Sequence, residues 1–194
     1  MKGKARETAM IANAILSGLD HAHTLVHDGM RAAIVHRDVS PHNVMASITG
    51  DVKLVDFGLA KAVAATAASR SGALRGKVGY MSPEQAHGLA VDGRADVFAV
   101  GIIAHELLTG RRLFTGRREP EILSKLLHQP LAAPSTWNAA AAPMDGPVMA
   151  MLERDRNNRP TARQAADQLA ALMSPDAAAQ LAAVVRDTVS TDER

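Results

Sequence analysis

Between Glu7 and Val26, apolar residues recur at Ile11, Ile15, Leu19, Ala22 and Val26, a spacing that predicts an amphipathic helix ended by the turn sequence His27-Asp28-Gly29. Two apolar pairs, Ile34-Val35 and Val44-Met45, then flank the polar run HRDVSPHN and read as strand ends holding a loop. Val52, Leu54 and Val55 predict a second strand. With Ile48 to Asp51 (ITGD) as the turn, antiparallel pairing brings Asn43 and Asp56 to the same end of a hairpin. Residues 59 to 82 carry few bulky side chains over AVAATAASRSGALRG and predict a long mobile loop whose alanines can seed a stray helix. Arg94 to Thr109 is too apolar for a surface helix and predicts a buried one, stopped by Gly110. Shorter helices are predicted over Pro120 to His128, Gly146 to Glu153 and Thr161 to Met173, with a proline-punctuated loop, AAPSTWNAAAAPMDGP, among them. A last helix, Ala177 to Val189, opens on Ser174-Pro175-Asp176, with Ser174 as its cap.

No internal repeat and no second domain interrupts this order. At 194 residues and 47% hydrophobic, the chain can bury a core without disulfides. Only 3% of residues are aromatic, so that core must be built from Leu, Val, Ile, Met and Ala. The sequence pI is near 9.2, yet the formal net charge is only +2 and the basic residues are spread along the chain, which argues against nucleic acid as a partner. The absence of cysteine fits a reducing compartment and weighs against a soft-metal site. No apolar run is long enough to cross a bilayer, and no signal-peptide core follows the first lysines, so a soluble cytoplasmic chain without a membrane segment is expected.

The polar run from His36 to Asn43 has several readings when taken alone: a surface loop, a set of satisfied buried polar groups, or a metal site built from His36, His42 and a carboxylate. Asp56 changes the balance. It stands at a strand end, followed by Phe57 and by Gly58, which lets the backbone turn. Asn43 and Asp56 offer only oxygen ligands, and two of them leave coordination positions for water and phosphate, the usual manner of holding magnesium.

These residues resemble a known family. His36-Arg37-Asp38, with Asn43 five positions after the aspartate, is similar to the catalytic loop of protein kinases, and Asp56-Phe57-Gly58 to their magnesium-binding motif. Ser82-Pro83-Glu84 resembles the alanine-proline-glutamate motif that closes the activation segment. RADVFAVGIIAHELLTGR resembles the central helix of the kinase C-lobe, and RNNRPTA the segment whose arginine pairs with that glutamate, here Arg159 with Glu84. The wording is most similar to the bacterial branch of the serine/threonine kinases, over roughly residues 6 to 173. The resemblance implies an α+β, mainly α-helical fold: a kinase C-terminal lobe over residues 1–173, with a small β-hairpin region at the catalytic loop, then a C-terminal helix and tail over 174–194. Upstream of the first helix no glycine-rich loop, Val-Ala-x-Lys strand or glutamate helix is found, so the resemblance implies that the N-lobe is not part of this chain. Apolar surface that an N-lobe would cover is therefore expected to be exposed.

By this resemblance Asp38 accepts or orients the proton of a substrate hydroxyl, and Asn43 and Asp56 hold Mg2+ on the phosphates of ATP. His36, Phe57 and Gly58 support the site, and Asp96 hydrogen-bonds the backbone of the catalytic loop. Arg37 has two readings, a dock for a phosphate on Thr66, Ser69 or Ser71, or the partner of a nearby carboxylate. Two positions depart from the family pattern. Ser40 stands where a lysine is usual, and Lys77 follows Gly76 where a threonine is usual. The expectation is a charge swap in which the Lys77 ammonium takes the place of the missing lysine; the alternative is a solvated loop lysine in a decayed site. His21, His23 and His42 are assigned to surface or packing. Substrate choice is expected in grooves around Gly79 to Met81 and the helix from Pro120. Two function classes follow: an ATP-dependent serine/threonine protein kinase lobe, acting on protein substrates with an N-lobe from elsewhere or a partner chain, or a non-catalytic kinase-like interaction module.

Overall fold

The computed structural model describes residues 2–57 and 77–192. Helix α1, Lys2–Thr24, starts five residues ahead of the expected Glu7. Lys and Arg are good helix formers, and Ala5 joins the apolar stripe as a buried residue. The helix stops before Val26, which is exposed and forms, with His27, strand β1 (Val26–His27) of a two-residue ribbon with β2 (Met30–Arg31). Asp28 and Gly29 make its turn with positive φ at both positions (50° and 75°), as a tight hairpin demands.

The apolar pair ahead of the polar loop is not a strand end. Ile34 instead donates its N–H to the Ala22 carbonyl at 3.0 Å, so the chain folds back along the last turns of α1. The far side of the loop is as the alternation predicts. A single 3-10 turn, Pro41–Asn43, leads into β3 (Val44–Ala46), which pairs antiparallel with β4 (Val52–Leu54) in the register Val44 with Leu54 and Ala46 with Val52. The ITGD turn is closed by hydrogen bonds from Ser47 to the Asp51 carbonyl and from Gly50 to the Ser47 carbonyl.

After a short helix, α2 (Pro83–Ala86), the long helix α3 (Arg94–Thr109) runs through the middle of the molecule, with every residue from Ala95 to His105 buried. Gly110 ends it in the left-handed conformation, φ 71°, a geometry that any side chain would strain. Around it lie α1, α5 (Asp145–Met151) and α6 (Ala162–Ala170), while α4 (Glu119–His128) packs against α2 and adds Ile122 and Leu126 to the same core. The proline-punctuated stretch is not all loop: Pro134–Thr136 and Ala139–Met144 form 3-10 turns. Helix α6 stops three residues short of Met173, and α7 (Ala177–Asp192) begins after a turn in which Ser174 accepts the Ala177 N–H through its carbonyl. The core is made of Ala, Leu, Ile, Val and Met, with Phe98, Phe114 and Tyr80 as its aromatic members. The architecture is therefore mainly helical with two small hairpins, the α+β class expected from the sequence. Among the described residues no helix is long and apolar enough to cross a membrane.

Candidate active site

The polar loop is held from below by one buried carboxylate. Asp96, in the first turn of α3 and 1% exposed, accepts the backbone N–H of His36 at Oδ2 and of Arg37 at Oδ1, both at 2.8 Å. The same Oδ2 lies 2.8 Å from His23 Nε2, on the last turn of α1. Thus His23, read from the sequence as surface or packing, is part of this joint; nothing in the linear pattern marks it, because its partner is 73 residues away.

His36 is fully buried. Its Nδ1 accepts from the Asp38 N–H at 3.3 Å and its Nε2 faces the Val55 carbonyl at 3.0 Å, partners that match the tautomer with hydrogen on Nε2. The ring packs on Phe57, with centroids 4.6 Å apart and planes tilted by 50°. His36 therefore bridges the loop and the segment carrying Asp56.

Asp38, Asn43 and Lys77 converge. Asn43 Nδ2 donates to the Asp38 carbonyl at 2.8 Å and lies 3.4 Å from Asp38 Oδ2, which leaves the Asn43 side-chain oxygen available as a ligand. Lys77 Nζ meets Asp38 Oδ2 at 2.7 Å. Across the hairpin, the Val55 N–H donates to the Asn43 carbonyl at 2.9 Å, which ties the Asp56 end of β4 to the start of β3. Asp56 itself is exposed, and its backbone sits in the left-handed region at φ 59°; Arg37, at φ 64°, is strained in the same way. Such strain persists only where surrounding contacts enforce it, here the Asp96 cradle and the His36 bridge. Ser40 is buried, and its hydroxyl has no hydrogen-bond partner among the described residues.

No cluster of three or more His or carboxylate groups able to hold a metal occurs among the described residues. The proposed set of His36, His42 and a carboxylate is thus not assembled. One carboxylate and one amide oxygen remain, a hard, sparse donor set that suits a cation completing its shell with water and phosphate oxygens.

The segment after Lys77 is tied down beneath the site. Ser82 and Gln85 form a reciprocal capping box at the start of α2, and Gln85 Nε2 also donates to the Arg37 carbonyl at 3.0 Å. The Ser-x-x-Gln spacing announces the cap in the sequence; the contact with Arg37 it does not. Glu84 pairs with Arg159 through two bonds of 2.8 and 3.2 Å. The buried guanidinium gives its other N–H groups to the carbonyls of Glu153, Arg94 and Arg154 and lies over the Phe98 ring, so its charge is fully compensated. The Arg37 side chain is exposed and has no carboxylate partner among the described residues. Its phosphate reading depends on Thr66, Ser69 and Ser71, which, like Gly58, lie outside the described residues.

A second cluster, which the sequence analysis missed, borders Gly79 to Met81. The Glu106 carboxylate accepts from the Tyr80 hydroxyl at 2.7 Å, from the Leu113 N–H at 2.9 Å and from Arg112 at 3.1 Å, while Arg112 also bonds the Tyr80 hydroxyl and lies over its ring. Burial pushes the Glu106 carboxyl up to about 7, with the Leu113 N–H pulling it down.

Comparison with known proteins gives the family. The protein kinase domain family matches residues 2–169. The serine/threonine-protein kinase PknL of Mycobacterium tuberculosis is 46% identical over 106 residues, 55% of this chain and 25% of that protein. The tyrosine-protein kinase MasK of Myxococcus xanthus is 37% identical over 160 residues, 81% of this chain and 25% of its own length. PrkC of Bacillus subtilis, a serine/threonine-protein kinase, is 37% identical over 133 residues, 69% of this chain and 19% of its own. The chain thus spans a quarter or less of the length of these relatives. With the three kinase-like motifs in family order on a kinase-like fold and the family model matching residues 2–169, the chain belongs to the protein kinase family.

Proposed function

We propose that this chain supplies the catalytic half of an ATP-dependent kinase that phosphorylates serine or threonine in protein substrates. Asp38 orients the acceptor hydroxyl and takes up its proton as the oxygen attacks the γ-phosphorus of ATP and the bond to the bridging β-phosphate oxygen breaks, with ADP as the leaving group. Asn43 and Asp56 hold Mg2+, which neutralises phosphate charge when bound. Phosphoryl transfer asks little covalent work of the protein, so placing these groups is most of the catalysis.

The observation that carries this reading is the convergence of Asp38, Asn43 and Lys77 within hydrogen-bonding distance. A lysine 39 residues away in the chain that meets the Asp38 carboxylate supports an assembled site over a solvated loop lysine. The pairing of Lys77 with Asp38 in the folded chain supports the charge swap, in which its ammonium meets the γ-phosphate in the role of the lysine absent at Ser40. Residues of an N-lobe, from a longer protein or a partner chain, would complete the nucleotide pocket.

Thermal melting of the purified chain with and without Mg2+ and ATP tests the reading. Mg2+ with ATP should raise the Tm, the shift should vanish in Asp56→Asn, and it should shrink in Lys77→Ala, whose unliganded Tm stays near that of the parent. No shift in the parent chain would instead favour the non-catalytic interaction module.

A further inference from the structure

The family match ends at residue 169, and helix α7 lies beyond it. Even so, α7 is seated on the hairpin that carries Asn43 and Asp56. Gly50, in the hairpin turn, has φ 90°, and a Cβ at this position would come within 2.2 Å of the Ala178 carbonyl oxygen and 2.9 Å of its carbon. The first turn of α7 thus lies where no side chain fits. Farther along the helix, Arg186 Nη1 donates to the Ile48 carbonyl at 2.9 Å. Between these contacts, Ala177 and Leu181 form an apolar cluster with Met10 of α1, and Val52 of β4 and Ile11 pack against it.

The strands of the hairpin also rest on α1 and on the main core through Val44, Val52 and Leu54, whereas its Ile48–Asp51 turn meets α7 through Gly50 and the Ile48 carbonyl. Strands β3 and β4 have three residues each and pair only with each other among the described residues, and a two-stranded ribbon of that size is marginal unless it packs on something. Asn43 directly precedes β3, and Asp56 follows β4 by two residues. A tilt of the ribbon therefore moves both, and magnesium tolerates little departure from octahedral geometry.

We propose that α7 is a clamp that positions the metal ligands: by pinning the Ile48–Asp51 turn while β4 packs on α1, it fixes the β3–β4 hairpin and with it the spacing and direction of Asn43 and Asp56. The proposal rests on the reading of these two residues as Mg2+ ligands. It makes residues outside the family domain part of the site's support, and it makes α7 a handle through which the site can be loosened without any change to a ligand.

The test uses the whole chain with Arg186→Ala, Leu181→Ala and the conservative Arg186→Lys. Hydrogen exchange is followed over residues 43–56, with α3 as the internal reference, and Mn2+ affinity is measured by paramagnetic resonance as the metal probe. Both alanine variants should exchange the hairpin amides, Val55 above all, about tenfold faster while α3 is unchanged. Mn2+ affinity should fall about tenfold, in the range typical of lost support behind a ligand, and Arg186→Lys should recover both readouts. Arg186 is exposed, so its alanine variant keeps the test readable if Leu181→Ala fails to fold. Hairpin exchange at the parent rate in the folded variants would overturn the clamp, as would faster exchange with unaltered Mn2+ affinity. A parent chain that takes up no Mn2+ would overturn the metal reading of Asn43 and Asp56, a failure distinct from that of the clamp, which the exchange rates report by themselves.

Discussion

Near the C-terminal end of α3, Glu106 holds the Tyr80 hydroxyl, the Leu113 N–H and Arg112 at once, and burial raises its carboxyl to about 7 from an ordinary 4.5. Between those two values the folded chain keeps a proton on Glu106 that the unfolded chain releases, so the contribution of this group to stability is fullest below about 4.5 and is lost as pH rises through 7. Glu106→Gln keeps the shape and removes the titration. It should raise the Tm at pH 8 and leave it nearly unchanged at pH 4.5, flattening the profile in a pH series of melts. With Arg112 adjacent and partly solvated, the gain at pH 8 is of order 1 kcal/mol, about 2–4 °C for a chain of this size. Lys77 shows how residue chemistry and tertiary placement divide. An ammonium at that position and a missing one at Ser40 are visible in the letters, whereas the 2.7 Å contact with Asp38 depends on how the segment after residue 76 returns to the loop.

At the scale of elements, starts and stops follow local chemistry. Thr161 caps α6 in a reciprocal box with Gln164, matching Ser82 and Gln85 at α2. Thr161→Ala should therefore cost about 1 kcal/mol, a fall of roughly 2–4 °C in a thermal melt, without altering metal or nucleotide binding. Helix α3 follows its sequence end to end, because continuous apolarity admits only a buried position and Gly110 only a left-handed stop. Where the periodic pattern misled, tertiary contacts had redrawn a boundary. Val26 continues the helical spacing but faces solvent in a ribbon, and Ile34-Val35 looks like a strand yet has its backbone bonded to the end of α1.

For the molecule as a whole, Asp96 is the junction. Its two oxygens join the end of α1 through His23, the polar loop through the N–H groups of His36 and Arg37, and α3, on which it stands. Asp96→Ala leaves these donors without their acceptor at a buried site and should cost about 2–4 kcal/mol. Asp96→Asn, which keeps one acceptor oxygen, should cost less. Chemical denaturation of the two variants measures the difference, and equal losses would mean that the side chain acts through its charge and not through the loop's hydrogen bonds.

The sequence by itself determined the mainly helical class, the buried central helix, the hairpin that brings Asn43 and Asp56 to one end, and the family, because each rests on local periodicity, a turn signal or motif order. It also named Glu84 and Arg159 as partners, through the resemblance. Only the tertiary structure decided which distant groups meet: Lys77 with Asp38, His23 with Asp96, Gln85 with the Arg37 carbonyl, Tyr80 and Arg112 with Glu106, and α7 with the turn at Gly50. Hydrophobic periodicity shows which face of an element is buried but not which neighbour covers it, and polar contacts between elements are fixed only when those neighbours have packed.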